Sequence, residues 1–199
     1  MLNVSLFEGK TREEAVEKAL DYYNLDEEYL LIKELESEDD SVKIEVIDKA
    51  DIKFFIKEYL SKLSELLNID INTEIREVEG SYNVKLVSSN NSILIGKDGR
   101  TIAAIQTLLR KSLESQAHQP IKVNVDVANY KEKNLRRMTS EIKKIAYEVK
   151  KTHVDVELDP MNSYERREIH NMVDKIPNVT TESIGEGPAR HIVIKYVEE

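Results

Sequence analysis

Apolar residues in this chain never hold one period for long. Ile102, Ile105, Leu109 and Leu113 recur at helical spacing, and within ten residues Ile121, Val123, Val125 and Val127 alternate as a strand does. The same exchange of periods recurs from end to end, in blocks too short for a long parallel sheet or a helical bundle. The pattern predicts an α+β chain of small domains. No apolar run approaches the roughly 20 residues that a membrane span needs, so no integral membrane span is expected. The opening residues Met1 to Glu8 turn acidic too early for a secretory signal. With no cysteine among 199 residues, disulfides, thiolate metal sites and a Cys nucleophile are excluded. A cytoplasmic location is expected.

Three blocks emerge. In residues 1–50, Leu2 to Leu6 alternate as a strand, and Thr11 with Glu14 forms the capping box of a helix that stops near Asn24. Strand-like runs Tyr29 to Leu35 and Val42 to Ile47 follow, joined by the acidic turn Glu36-Ser37-Glu38-Asp39-Asp40, giving a β-α-β-β domain. Residues 51–128 read α-β-β-α-α-β: a helix through Leu67, strands Thr73 to Val78 and Tyr82 to Val87, and a short helix near Asn90 to Ile95. A longer helix from Arg100 to about Gln116 and the strand Ile121 to Val127 complete that block. Residues 129–199 open on a basic helix, Tyr130 to Lys151. A strand Val154 to Leu158, a helix Met161 to Lys175, and strands Val179 to Ile184 and His191 to Val197 close the chain.

The net charge of -9 hides a strong asymmetry. Residues 1–50 carry 6 basic and 15 acidic side chains, which accounts for all of it. Residues 91–151 carry 13 basic and 6 acidic. An acidic module therefore precedes a body with a basic belt, and such a belt is a partner signal.

Gly96-Lys97-Asp98-Gly99 falls between the second and third helices of the middle block. Glycines at both ends let a polyanion's backbone approach the peptide N–H groups. The helix starting at Arg100 adds its positive dipole end, and Lys97 and Arg100 supply charge, against one anion at Asp98. A GxxG alone is an ordinary helix entry; its setting gives it meaning. The order α-β-β-α-GxxG-α-β resembles the type II KH domain, in which this loop clamps the backbone of about four nucleotides. It is no Walker A element, because two residues separate the glycines and Arg follows the second.

Arg166 and His170 stand four apart in Tyr164-Glu165-Arg166-Arg167-Glu168-Ile169-His170 and so share one helix face. A permanent guanidinium beside an imidazole suits a phosphate. Arg-x-x-x-His is the signature of the R-3-H domain, a small module for single-stranded nucleic acid. Gly185 to His191 before the last strand fits it too. The resemblance adds Arg167, Arg190 and His191 as binding candidates, with Arg136, Arg137, Lys143 and Lys144 of the basic helix in support. His118, His153, His170 and His191 show no metal-ligand spacing, and no nucleophile accompanies them, so neither a metal, a cofactor nor catalysis is expected. Tyr22, Tyr23, Tyr59, Tyr82, Tyr130 and Tyr147 are expected at the edges of cores, with base stacking by any one of them the alternative.

Together these pieces resemble the Jag family, also called SpoIIIJ-associated or KhpB, of bacterial RNA-binding proteins. Phe7-Glu8-Gly9-Lys10-Thr11 through Leu20 is similar to the opening of its N-terminal domain. The long linker of many members is absent, since Asp48-Lys49-Ala50 joins the first two domains directly. The resemblance implies a single-stranded RNA-binding protein, an RNA chaperone or post-transcriptional regulator tied to cell shape, cell-wall synthesis and division. It implies as partner a small single-KH-domain protein, or a second copy of the chain, through the KH domain, and cell-wall or division proteins through the N-terminal domain. The alternative is an adaptor working mainly through its acidic first domain, with weak RNA binding.

Overall fold

Capping chemistry sets where the first helix starts. In the computed structural model, which describes residues 1–35 and 41–198, the Thr11 hydroxyl accepts from the Glu14 N–H at 3.3 Å. The Glu14 carboxylate reaches back one residue further than expected, to the Lys10 N–H at 2.9 Å. The helix α1, Arg12–Tyr23, ends where Asn24 takes a left-handed φ of 51°. The chain divides into two compact units, Met1–Tyr130 and Lys131–Glu199.

In the first unit, β1 (Ser5–Gly9), β2 (Leu30–Leu35) and β3 (Val42–Asp48) form an antiparallel sheet ordered β1-β3-β2. The two faces of β3 serve two different cores. Ile44 and Val46 pack on Ala15, Val16 and Ala19 of α1, small residues that let the helix lie close. Ile47 belongs instead to the larger core beyond. The same core explains why β1 starts three residues later than the alternation of Leu2 to Leu6 predicts. Leu2 is only 8% exposed and sits with Ile52, Ile56 and Leu60, while its N–H donates to Gln116 Oε1 at 3.4 Å. Burial outside its own sheet claims those residues. The expected acidic turn, residues 36–40, lies outside the described residues.

The elements α2 (Lys49–Leu67), β4 (Asn72–Val78), β5 (Ser81–Val87), α3 (Asn91–Ile95), α4 (Arg100–Ala117) and β6 (Lys122–Val127) follow in the order expected of a type II KH domain. Asp48 caps α2, its carboxylate accepting from the Ala50 N–H at 2.7 Å. The sheet is mixed: β4 runs antiparallel to β5, and β5 parallel to β6. Ile102, Ile105, Leu109 and Leu113 of α4 press on Val84, Leu86, Val123 and Val125. Leu109 is wholly buried, so truncating it to Ala costs about 2–5 kcal/mol. A polar clasp ties the first sheet to the end of α4, where His118 caps the helix. Lys33 Nζ donates to the His118 carbonyl at 2.7 Å, and His118 Nδ1 lies 2.9 Å from Glu45 Oε1.

In the second unit, α5 (Tyr130–Thr152, counted from its first residue) and α6 (Ser163–Val173) cover a sheet ordered β7-β9-β8, from β7 (Val156–Glu157), β8 (Val179–Ile184) and β9 (His191–Tyr196). Ile142, Ala146 and Val149 meet Ile169, Val173, Ile192 and Ile194 in its core. Asn162 and Glu165 complete a reciprocal capping box at 3.0 and 3.1 Å, which starts α6 after the expected Met161. The strand expected over Val154 to Leu158 pairs only at Val156 and Glu157, with Val154 left exposed. His153, left-handed at the end of α5, stacks on Tyr196 with ring centroids 3.8 Å apart.

Candidate nucleic-acid interface

Backbone geometry builds the first subsite. Gly96 (φ 71°, ψ -178°) leaves α3, Lys97 to Gly99 make one tight turn, and α4 begins at Arg100. Asp98 adopts φ 53°, ψ 30°, and Gly99 φ 76°, ψ 11°. Asp is among the few residues with a side chain that enter the left-handed region readily, which gives the anion in this loop a conformational reason. Left-handed Gly99 is followed by right-handed Arg100, whose N–H donates back to the Lys97 carbonyl and closes the turn. No side chain caps α4, which leaves the positive dipole end of the helix beside Lys97 and Arg100. Lys97 and Arg100 are exposed and in no ion pair among the described residues.

Both glycines answer to the protein itself as well as to a ligand. A Cβ on Gly96 would stand 2.1 Å from Thr101 Oγ1, and one on Gly99 2.9 Å from Tyr130 Cε1. The loop is thus folded tightly onto the first turn of α4 and the Tyr130 ring.

The second subsite lies where α6 meets β8. Arg166 and His170 share a face as their spacing predicts. Arg166 Nη1 donates to the Met161 carbonyl at 3.1 Å, while the Met161 N–H donates to the Arg190 carbonyl at 3.2 Å. One backbone residue therefore ties the two arginine positions together. His170 Nδ1 is hydrogen-bonded to Thr181 Oγ1. Arg190 Nε donates to Ser183 Oγ at 3.0 Å. Thr181 and Ser183 alternate with exposed residues along β8 on the face that carries buried Val179, about 7 Å apart. As β8 is an edge strand, a basic rim runs beside open backbone groups.

Not every candidate joins this rim. His191 lies on the other face of the sheet, alternating with buried Ile192; its Nε2 meets Glu157 Oε1 at 2.7 Å and its Nδ1 the Ala189 carbonyl at 2.9 Å. Arg167 is exposed and points away, about 100° round the helix from Arg166. On α5, Arg136, Lys143 and Lys150 form one stripe seven residues apart, and Arg137, Lys144 and Lys151 another. Arg136 is paired with Glu132, and Arg137 donates to Asn134 at 3.2 Å. The α5 groove that includes Lys143 is lined on α6 by Glu168 and Met172, about 160° round that helix from His170. Lys143 and the Arg166–His170 pair therefore lie on different flanks of α6.

Met161, Thr181 and Ser183 were not legible as site residues, although the alternation of β8 placed both hydroxyls on one face. Of the tyrosines expected at core edges, Tyr82 is buried and Tyr130 packs on the core, but Tyr22 and Tyr147 are exposed. Among the described residues no group of His, Asp and Glu is placed to hold a metal ion, and no helix is long and apolar enough to cross a membrane.

Two family descriptions match the chain: the KH domain of KhpA/KhpB over residues 53–130 and the R-3-H domain over residues 134–196. The RNA-binding protein KhpB of Clostridium symbiosum is 32% identical over 213 residues, spanning 96% of this chain and 90% of the relative. That of Bacillus subtilis (strain 168) is 30% identical over 155 residues, 77% of this chain and 74% of the relative. That of Lactiplantibacillus plantarum is 36% identical over 107 residues, 54% of this chain and 33% of its own.

Proposed function

The chain belongs to the KhpB family, and from that premise we infer that it is a non-enzymatic protein that binds single-stranded RNA through two modules in one chain. The observation that carries the reading is the Gly96–Gly99 loop: two unpaired cations, Lys97 and Arg100, at an uncapped helix start. The rim of Arg166, His170 and Arg190 beside an edge strand supports it from the second module. Tethered in one chain, two weak sites gain affinity through effective concentration, provided one RNA reaches both.

RNA chaperoning or post-transcriptional control, in the service of cell shape, wall synthesis and division, is the role that the family resemblance attaches to this binding. A second KH module, from a small single-KH protein or another copy of this chain, is the partner it implies. Crosslinking the protein to RNA in cells and sequencing what is recovered tests the reading. RNA enriched over an unrelated acidic control protein is expected; recovery equal to that control contradicts it and favours an adaptor acting through the acidic first domain.

A further inference from the structure

Residues four apart along α5 face residues of α6 across a groove on the flank opposite Arg166 and His170. The groove is lined by Lys143 and Tyr147 of α5, by Glu168, Asn171 and Met172 of α6, and by Lys175 just after it. Tyr147 is 60% exposed, a cost in water for a large ring with nothing laid on it. The side chains of Lys143, Lys175 and Asn171 and the Tyr147 hydroxyl have no hydrogen-bond or ion-pair partner among the described residues. An open aromatic ring in one groove with two ammonium groups is the combination that holds single-stranded nucleic acid: the ring stacks a base, and the cations track its phosphates. Glu168, the one anion present, accepts hydrogen bonds only, and so favours a base amino group or a ribose hydroxyl beside it over a phosphate.

We propose that this α5–α6 groove holds one nucleotide of a single-stranded RNA, its base on Tyr147 and its flanking phosphates at Lys143 and Lys175. The site is separate from the Arg166–His170 rim and rests on the RNA-binding reading above. It gives the basic stripe of α5 a defined role, because Lys143 continues along that helix to Arg136 and Lys150 at seven-residue intervals, each within about 20° of the last. A strand seated at Tyr147 thus has further cations in line with it.

The test uses the full chain and a labelled single-stranded oligouridine of about twelve nucleotides, read by fluorescence anisotropy across a salt series. Tyr147→Ala is expected to weaken binding about tenfold without changing the salt slope, and Tyr147→Phe to retain affinity, because stacking needs the ring alone. Lys143→Ala with Lys175→Ala is expected to make the slope shallower by about 1.4, two phosphate contacts' worth. Thermal melts identify any loss of fold in Tyr147→Ala, and the lysine pair, on the surface, keeps the question open to refutation in that event. If the wild type binds and Arg166→Ala weakens it, while the tyrosine and lysine variants bind as the wild type does, the groove is refuted and the RNA reading stands. If the wild type does not bind at all, both fall.

Discussion

The Thr181 hydroxyl of β8 and Nδ1 of His170 on α6 share a hydrogen bond that fixes the imidazole against the sheet edge. With Nδ1 occupied, Nε2 is the ring atom left to meet a ligand, and it does so as a donor when the hydroxyl donates to Nδ1. Position 181 thereby controls the orientation of a residue that its own side chain does not replace. Thr181→Val keeps the shape and removes the bond. It is expected to weaken single-stranded RNA binding roughly two- to tenfold, the worth of one hydrogen bond, and less than His170→Ala does. Titration by fluorescence anisotropy, with a melt to confirm folding, checks the order of the two variants.

Arg166 is held by the Met161 carbonyl, yet keeps charge to spare, since one of its five donors makes that bond. Arg166→Ala is expected to reduce affinity alike for all RNA sequences and to make the slope of log affinity against log salt shallower by about 0.7, one phosphate on a single strand. Arg166→Lys should restore the slope while leaving affinity below wild type, because an ammonium lacks the planar fork. Anisotropy at several salt concentrations separates the two.

At the glycine loop, charge and conformation can be varied independently. Lys97→Asp leaves both glycines in place and reverses an exposed charge, so RNA affinity should fall while the melting temperature holds. Asp98→Asn removes the anion and keeps a residue tolerant of the left-handed region; affinity should rise. Gly99→Asp is a different experiment, because any Cβ there meets the Tyr130 ring at a φ of 76°. It should lower the melting temperature as well as the affinity.

Glu77 on β4 offers a test of stability. Burial pushes its carboxyl upward, but the Lys53 ammonium at 3.0 Å and Lys49 at 3.4 Å outweigh this and hold it below the ordinary carboxylate range. A group lowered in the folded state stabilises above its unfolded value of about 4.3, and that contribution disappears as pH falls through the folded value. Glu77→Gln should therefore melt about 1–3 °C below wild type at neutral pH, discounted for solvent screening. The gap should narrow as pH falls below about 4.3 and close once pH is below the folded value. A gap that persists in acid would assign the loss to packing instead.

Much of this architecture is local and was legible for that reason. Thr11, Asn24 and the Ile102 to Leu113 stripe act through neighbours in sequence, and each appears where its pattern places it. What escaped depends on distant residues. Leu2 leaves the predicted strand for a core built around α2 and α4. His191 has the motif's chemistry, but strand alternation turns it to the face where Glu157 waits. Tyr147 has the helical spacing of a core-edge residue, and only the partner helix reveals that its ring lies open above a groove. The hydroxyls of Thr181 and Ser183 carry no signal of their own until α6 and Arg190 are packed beside them.

On the function proposed above, this acidic chain binds single-stranded RNA electrostatically through surfaces in both modules. The most direct measurement is the salt dependence of full-chain binding to one single-stranded RNA, for wild type, Lys97→Asp, Arg166→Ala and the double variant. Log affinity is expected to fall linearly with log salt, with a shallower slope in each single variant and a slope shallower still in the double by about the sum of the two. A wild-type affinity indifferent to salt, or a slope that neither substitution alters, would contradict it.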